Sequence, residues 1–363
     1  MRAFMTTDPI GGIWTYTLDL SRELVRDGHE VIIASMGGRL TPDQRKCVET
    51  TGAVLFESEF RLEWMDEPWL DVDRAGEWLL GLEAQTQPDV IHLNGYAHAA
   101  LPWKAPCIIC AHGCVVSWWW AVQGEDPPHQ YGEYRRRVTA GLRAARAVVA
   151  PSRFMRDQLL RHYGQPDARV ISNGRAHDRF HPQSKWPYIA SAGRLWDPAK
   201  NLSALVAAAP GLPWPLYLAG PLEHPEAYGE STTQLDSDDS RVRFLGQLSE
   251  ERMGQLLGRA AIYVHPARYE PFGLTVLEAA FAGCALVLSE LPSLLELWED
   301  SAVFVDMSSP RRIRDAIRLL ARQPSALSKL AARARARALR LSSKHMASAY
   351  AELYNDVYAQ AAA

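Results

Sequence analysis

No apolar run in this 363-residue chain approaches the roughly 18 residues needed to cross a bilayer. The opening octet, Met1 to Asp8, lacks the apolar core of a signal peptide. Cysteine is scarce, and five residues, an odd number, suit a reducing compartment better than a disulfide framework. A cytoplasmic location is therefore expected. The charge balance, 39 Lys and Arg against 42 Asp and Glu, lacks the basic field of a nucleic-acid binder. One basic stretch exists, Arg311 to Arg340, with Asp315 its only acid. It reads as amphipathic helices with solvated faces, so peripheral membrane contact is not predicted. Metal signatures are also missing. Cys107 and Cys110 lie in a strand-like segment where positions three apart face opposite ways, and no second Cys/His pair follows Cys114 at zinc spacing. Asp71-Val72-Asp73 and Asp236-Ser237-Asp238 are too short to argue for a divalent ion. No metal and no other cofactor are expected.

What the chain does have is alternation. Short β-branched runs at Arg2–Met5, Glu30–Ala34, Val90–Leu93, Cys107–Cys110 and Ala147–Ala150 are separated by helical patterns such as Trp14–Arg26 and Arg153–Tyr163. A short strand at Val170-Ile171, reached through Gly164-Gln165-Pro166, leads to an expected turn at Ser172-Asn173-Gly174. The polar, Pro-rich segment Phe180–Pro187 reads as a linker, and the alternation then restarts at Tyr188–Ala192, Leu216–Ala219, Val242–Phe244, Ala261–Val264, Ala285–Leu288 and Ala302–Val305. The pattern predicts an α/β protein with two doubly wound parallel sheets, whose ligands bind outside the carboxyl ends of the strands.

Three strand-to-helix junctions carry chemistry. In His265-Pro266-Ala267-Arg268-Tyr269-Glu270-Pro271-Phe272-Gly273-Leu274-Thr275-Val276-Leu277-Glu278, a strand runs through a loop into a helix. The helix N-terminus at Gly273 suits a diphosphate, and carboxylates on either side suit sugar hydroxyls. Thr275-Val276-Leu277-Glu278 also fits a capping box, which would occupy Glu278 structurally. In Gly193-Arg194-Leu195-Trp196-Asp197-Pro198-Ala199-Lys200, Arg194 and Lys200 supply two cations near one strand end. Gly11-Gly12 opens the first helix, where glycine admits close backbone approach. His112 closes a strand, and Asn94 follows another. Trp118 and Trp119, with Glu125-Asp126 shortly after, are candidates for stacking on a sugar face.

The stretch from Glu270 to Glu278 resembles the EX7E signature of the retaining GT-B glycosyltransferases of family 4, the glycosyl transferases group 1. Gly193–Lys200 resembles that family's G-R-x-x-x-x-K segment, here with five residues instead of four between Arg194 and Lys200. Cys110-Ala111-His112-Gly113 is similar to its T-H-D/G segment, with Ala111 and Gly113 as departures. Asn173-Gly174 with Phe180 and Pro182 resembles its hinge, although Ala176 stands where Asp is usual. The resemblance implies a GT-B fold, two Rossmann-like domains facing each other across a cleft. Residues 1–182 would form the acceptor-side domain, onto which a C-terminal helix near 344–360 crosses back, and 183–343 the donor domain. It implies that Glu270 holds donor-sugar hydroxyls, Glu278 the ribose, and Arg194 and Lys200 the departing diphosphate. Phe272, Gly273 and Leu274 would contact sugar and phosphates through their backbone, Gly246 would lie by the base, Gly12 would meet the donor phosphate, and His112 would sit near the anomeric carbon. Asn94, Trp118 and Trp119 fall on the acceptor side.

The expected activity is metal-independent transfer of a hexose from a UDP- or GDP-sugar to a sugar, lipid-linked or small-molecule acceptor, with retention. The alternatives are a non-catalytic sugar-nucleotide-binding protein and a sugar-nucleotide epimerase on the same fold. No pyridoxal-phosphate segment supports a phosphorylase.

Overall fold

The structure is a computed structural model that describes residues 1–165, 167–223 and 235–362. Pro166, part of the expected connection to the short strand, lies outside the described residues. Two units divide the chain. One holds Met1–Trp120, Gly124–Gly174 and the stretch from Ser343, and the other holds Arg175–Ser342 and Ala121–Gln123.

The first unit is built on seven strands, β1 (Arg2–Thr7), β2 (Glu30–Ser35), β3 (Val54–Glu57), β4 (Val90–Leu93), β5 (Cys107–Cys110), β6 (Ala147–Ala150) and β7 (Arg169–Val170). They pair in the order β3-β2-β1-β4-β5-β6-β7, and each pairing is parallel. Helices α1 (Gly12–Arg26), α2 (Pro42–Glu49), α3 (Trp69–Thr86), α4 (Val115–Gln123), α5 (Gly132–Ala144) and α6 (Arg153–Tyr163) connect them. The strands are apolar almost throughout, as a sheet covered on both faces requires. Cys107 and Cys110 are buried on opposite faces, as the strand period demands: one joins the core with Ile109, the other meets a tyrosine of the last helix.

The second sheet joins β8 (Trp186–Ala192), β9 (Leu216–Ala219), β10 (Val242–Phe244), β11 (Ala260–His265), β12 (Ala285–Ser289) and β13 (Val303–Val305) in the order β10-β9-β8-β11-β12-β13. Its helices are α7 (Leu202–Ala208), α8 (Glu250–Arg259), α9 (Leu274–Phe281), α10 (Pro292–Trp298), α11 (Pro310–Ala321) and α12 (Pro324–Ala338). Both sheets thus share one winding. Strand order reverses between β1 and β4 in one and between β8 and β11 in the other, and crevices at such reversals receive ligands.

The last helix, α13 (Ser343–Ala362), belongs to the first unit. Tyr350 OH lies 3.0 Å from Cys110 Sγ, and Tyr354 OH lies 2.6 Å from His92 Nδ1. Tyr16 OH reaches the other ring nitrogen of His92 at 3.3 Å, and Ser343 Oγ donates to Glu23 at 3.0 Å. Burial makes each of these polar partnerships costly to break.

Three expectations need correction. The boundary at residues 182/183 falls inside the second unit, because the supposed linker is packed: Phe180 is buried in that unit's core, and Gln183 N–H donates to Gly258 at 3.0 Å. Glycine on α8 admits this segment, since a Cβ at Gly254 would stand 2.3 Å from the Arg179 carbonyl. Asn173-Gly174 forms no turn; neither residue has positive φ, and the backbone continues to a parallel bridge between Arg175 and Ser342. The basic helices are not simply solvated either. Arg314, Arg318, Arg335 and Arg337 donate to the carbonyls of Pro210, Gly211, Phe281 and Leu297. No helix among the described residues is long and apolar enough to cross a membrane.

Candidate active site

In the second unit, the loops after β8 and β11 are bound to one another. Arg268 N–H donates to the Ala199 carbonyl at 2.7 Å, and Asn201 Nδ2 donates to Pro266 at 3.0 Å. Asp197 caps the short turn Pro198–Lys200 by accepting from Ala199 N at 2.9 Å. This bracing turns Lys200 onto the opposite loop, where its Nζ lies 2.8 Å from Glu270 Oε2. His265, the last residue of β11, approaches the same oxygen through Nε2 at 3.0 Å. Burial alone would push the Glu270 carboxyl up, but the Lys200 charge and the His265 hydrogen bond overcome it and hold it far below the usual carboxylate range. Glu270 Oε1 accepts a longer bond from Phe272 N at 3.4 Å.

Arg194 is half-exposed. Its Nη2 lies 2.6 Å from Asp197 Oδ2, and its guanidinium stands 5.4 Å from the Trp196 ring. Both expected cations are therefore already engaged with acids of their own neighbourhood.

Helix α9 starts at Leu274, with Gly273 as its N-cap at φ 91°, so the capping-box reading of Thr275–Glu278 does not hold. The N-cap offers no side-chain acceptor, and the helix N-terminus keeps its partial positive charge. Phe272 is buried and Leu274 packs against the same core, which fixes the loop from within. Glu278, 7% exposed, bonds instead to Arg175, whose Nε donates to Oε1 at 2.7 Å. Gly246 has φ 64° and accepts from Gly220 N at 2.8 Å, with open space where a Cβ would stand.

The first unit has its own cluster beside its strand reversal. Gly12 begins α1 and is exposed; its N-cap, Gly11, provides no side-chain cap, which leaves backbone donors for an anion. Asn94, after β4, directs its Nδ2 to the Thr6 carbonyl at 2.7 Å and to Thr17 Oγ1 at 3.1 Å. That leaves its oxygen to face His112 Nε2 at 2.9 Å, so the hydrogen-bond network assigns the proton of neutral His112 to Nε2. Removal from water pushes His112 down to about 3, and Tyr16 packs edge-on against the ring at 4.5 Å. Trp118 and Trp119 are half-buried in α4, 5.9 Å apart, with Tyr131 5.3 Å beyond Trp119. Asp126 is engaged by Trp120 Nε1 and by Arg135.

Sequence reading missed His265, Asp197 and Arg175 as partners of the expected residues. His265 sat in the motif without a role, and Asp197 lies at i+3 from Arg194, a spacing that pairs charges in any tight turn. Arg175 had no signal, because its partner is 103 positions away.

Comparison with known proteins agrees with this architecture. The model of Glycosyltransferase Family 4 matches residues 10–179, and that of Glycosyl transferases group 1 matches residues 175–337. A glycogen synthase of Mycobacterium tuberculosis is 27% identical over 337 residues, covering 79% of this chain and 76% of its own. A D-inositol 3-phosphate glycosyltransferase of Saccharomonospora viridis is 27% identical and covers 97% and 91%. An O-antigen chain mannosyltransferase B of Escherichia coli is 25% identical, over 46% of this chain and about half (49%) of its own. Among solved structures, a sucrose-phosphate synthase from Thermosynechococcus elongatus superposes with a TM-score of 0.83 at 19% identity, covering 99% of this chain and 100% of that one. Anabaena HepE, solved with UDP and glucose, gives 0.77 at 17% identity, covering 98% and 100%. The chain belongs to the family 4 glycosyltransferases, the glycosyl transferases group 1, and has their GT-B fold of two Rossmann-like domains.

Proposed function

We propose that this glycosyltransferase moves a hexose from a nucleotide diphosphate sugar, UDP- or GDP-linked, to an acceptor hydroxyl with retention of configuration and without a metal ion. The observation that carries the reading is the Lys200–Glu270 pair, 2.8 Å apart beside the open N-terminus of α9. A cation, a helix terminus and an ionised carboxylate on one rim match a leaving diphosphate and a hydroxylated ring.

In this reading the bond between the anomeric carbon and the diphosphate oxygen breaks, and its electron pair leaves with the phosphate. Arg194, Lys200 and the N–H groups around Phe272, Gly273 and Leu274 take up the growing charge. Glu270 orients the sugar, Glu278 holds the ribose, and the base lies by Gly246. The acceptor oxygen bonds to the carbon on the vacated face and gives its proton to the departing phosphate oxygen. From the first unit, Gly12 N–H serves the donor phosphate and Trp118 and Trp119 serve the acceptor. His112, neutral at physiological pH, serves near the anomeric carbon as a hydrogen-bonding group and not as a general base. Asn94, its amide committed to Thr6, Thr17 and His112, acts through His112. A cytoplasmic location accords with five free cysteines, four of them buried.

The test is incubation with a panel of UDP-, GDP- and ADP-sugars, with and without acceptors and EDTA. Release of nucleoside diphosphate insensitive to EDTA, with a product of unchanged anomeric configuration by NMR, supports the reading. Binding without turnover makes the chain a sugar-nucleotide sensor, and recovery of an altered nucleotide sugar makes it an epimerase.

A further inference from the structure

Arg175 follows Asn173-Gly174 and is 4% exposed. Its backbone is fixed by a bond from its N–H to Leu341 at 3.2 Å and by the bridge to Ser342. Its guanidinium stands 5.2 Å from the buried Phe180 ring. From there it reaches two carboxylates at once: Nε to Glu278 Oε1 at 2.7 Å, and Nη2 to Glu250 Oε1 at 2.6 Å. Glu250 is held in turn by Arg179, and it opens α8 just beyond the loop that contains Gly246.

A carboxylate accepts a pair of neighbouring hydroxyls well only when it is ionised and its plane is fixed. In a buried setting both conditions require a charged partner, and a planar guanidinium sets orientation as well as charge. We propose that Arg175 is the positioning residue for Glu278 and thereby sets the selectivity of the nucleotide site for ribose over sugars that lack the 2′ and 3′ hydroxyls. The inference rests on Glu278 being the ribose-holding acid. Arg175 is also a strut: one guanidinium links the acid on α9 to the first turn of α8, and so ties the ribose contact to the loop at Gly246.

The experiment measures dissociation constants for a ribonucleoside diphosphate, its 2′,3′-dideoxy counterpart and inorganic pyrophosphate. The base is whichever of UDP, GDP and ADP stabilises the wild-type protein most. Wild type should prefer the ribose form by about tenfold or more, the worth of a charge-assisted pair of hydrogen bonds. Arg175→Met should reduce that preference to within about threefold while leaving pyrophosphate affinity unchanged, and Arg175→Lys should restore part of it. Unchanged discrimination in Arg175→Met overturns the proposal. A wild type without ribose preference instead overturns the role of Glu278 itself. Should Arg175→Met not fold, Glu250→Gln removes the outer anchor near the surface. It should lower the preference by a smaller factor, and unchanged discrimination there overturns the proposal as well.

Discussion

Lys200 Nζ and His265 Nε2 converge on a single oxygen of Glu270, at 2.8 and 3.0 Å, one from the loop after β8 and the other from the last residue of β11. The carboxylate is thereby kept ionised in a buried position, and in the proposed reaction Lys200 serves the leaving diphosphate as well as this acid.

Substitution of Lys200 therefore has two separable consequences. Lys200→Ala should lower kcat by on the order of 10²–10³, as removal of a leaving-group contact does. It should also expose the pH dependence that the pair suppresses. The Glu270 carboxyl lies below its ordinary value, so what its charge contributes is present above the usual carboxylate range and is lost only as pH falls through the lowered value. Without the lysine, burial is less opposed and the carboxyl rises, so donor affinity should weaken toward acid pH in the variant and stay level in wild type. Titration of donor binding from pH 5 to 8 checks both; a flat variant profile contradicts the coupling.

Two histidines of the first unit, His92 and His112, are held neutral where Glu270 is held charged. His92 and His112 are each pushed down to about 3, chiefly by removal from water. The unfolded chain takes up protons near the ordinary histidine value, about 6.5, while the folded chain does not. Stability should therefore fall as pH drops below that value, by at most about 1.4 kcal/mol per pH unit for fully buried His92 and by less for half-buried His112. Urea unfolding at pH 7 and pH 5 measures the fall. Replacing His92 with Gln should flatten it; an unchanged slope would mean that other groups control it.

Gly220 controls the loop that carries Arg194. A Cβ there would stand 1.7 Å from the Gly193 carbonyl, and the backbone φ of 139° is one that side chains rarely adopt. Gly220→Ala should cost more than about 2 kcal/mol or shift the loop, with weaker pyrophosphate binding in either case. Full retention of stability and of pyrophosphate affinity would show that the contact is absorbed without displacement.

Much of this was legible in the chain. Period gave most strands of both sheets, because strands buried on two faces are apolar throughout; Val54–Glu57, an edge strand with no fully buried residue, was not named. Each pair, Glu270 with Glu278 and Arg194 with Lys200, lies within its own strand–loop–helix unit, and the resemblance of those two short segments to family motifs is what named them. Partnerships across distant loops were not legible. Arg175 and Glu278 meet only once the sheet is wound, and a buried arginine beside a glycine resembles any surface arginine in a sequence. The linker at Phe180–Pro187 misled for a related reason: proline and polar residues signal a boundary, but one buried phenylalanine outweighs them energetically. In the same way, the basic run looked solvated because the carbonyls that receive its arginines carry no mark in the sequence.

The return of α13 to the first unit has a consequence for synthesis. A chain leaving the ribosome completes Arg175–Ser342 while the earlier unit still lacks the tyrosines that satisfy Cys110 and His92. The later-made unit is thus free to mature first, and the earlier one closes only when the final helix has been translated.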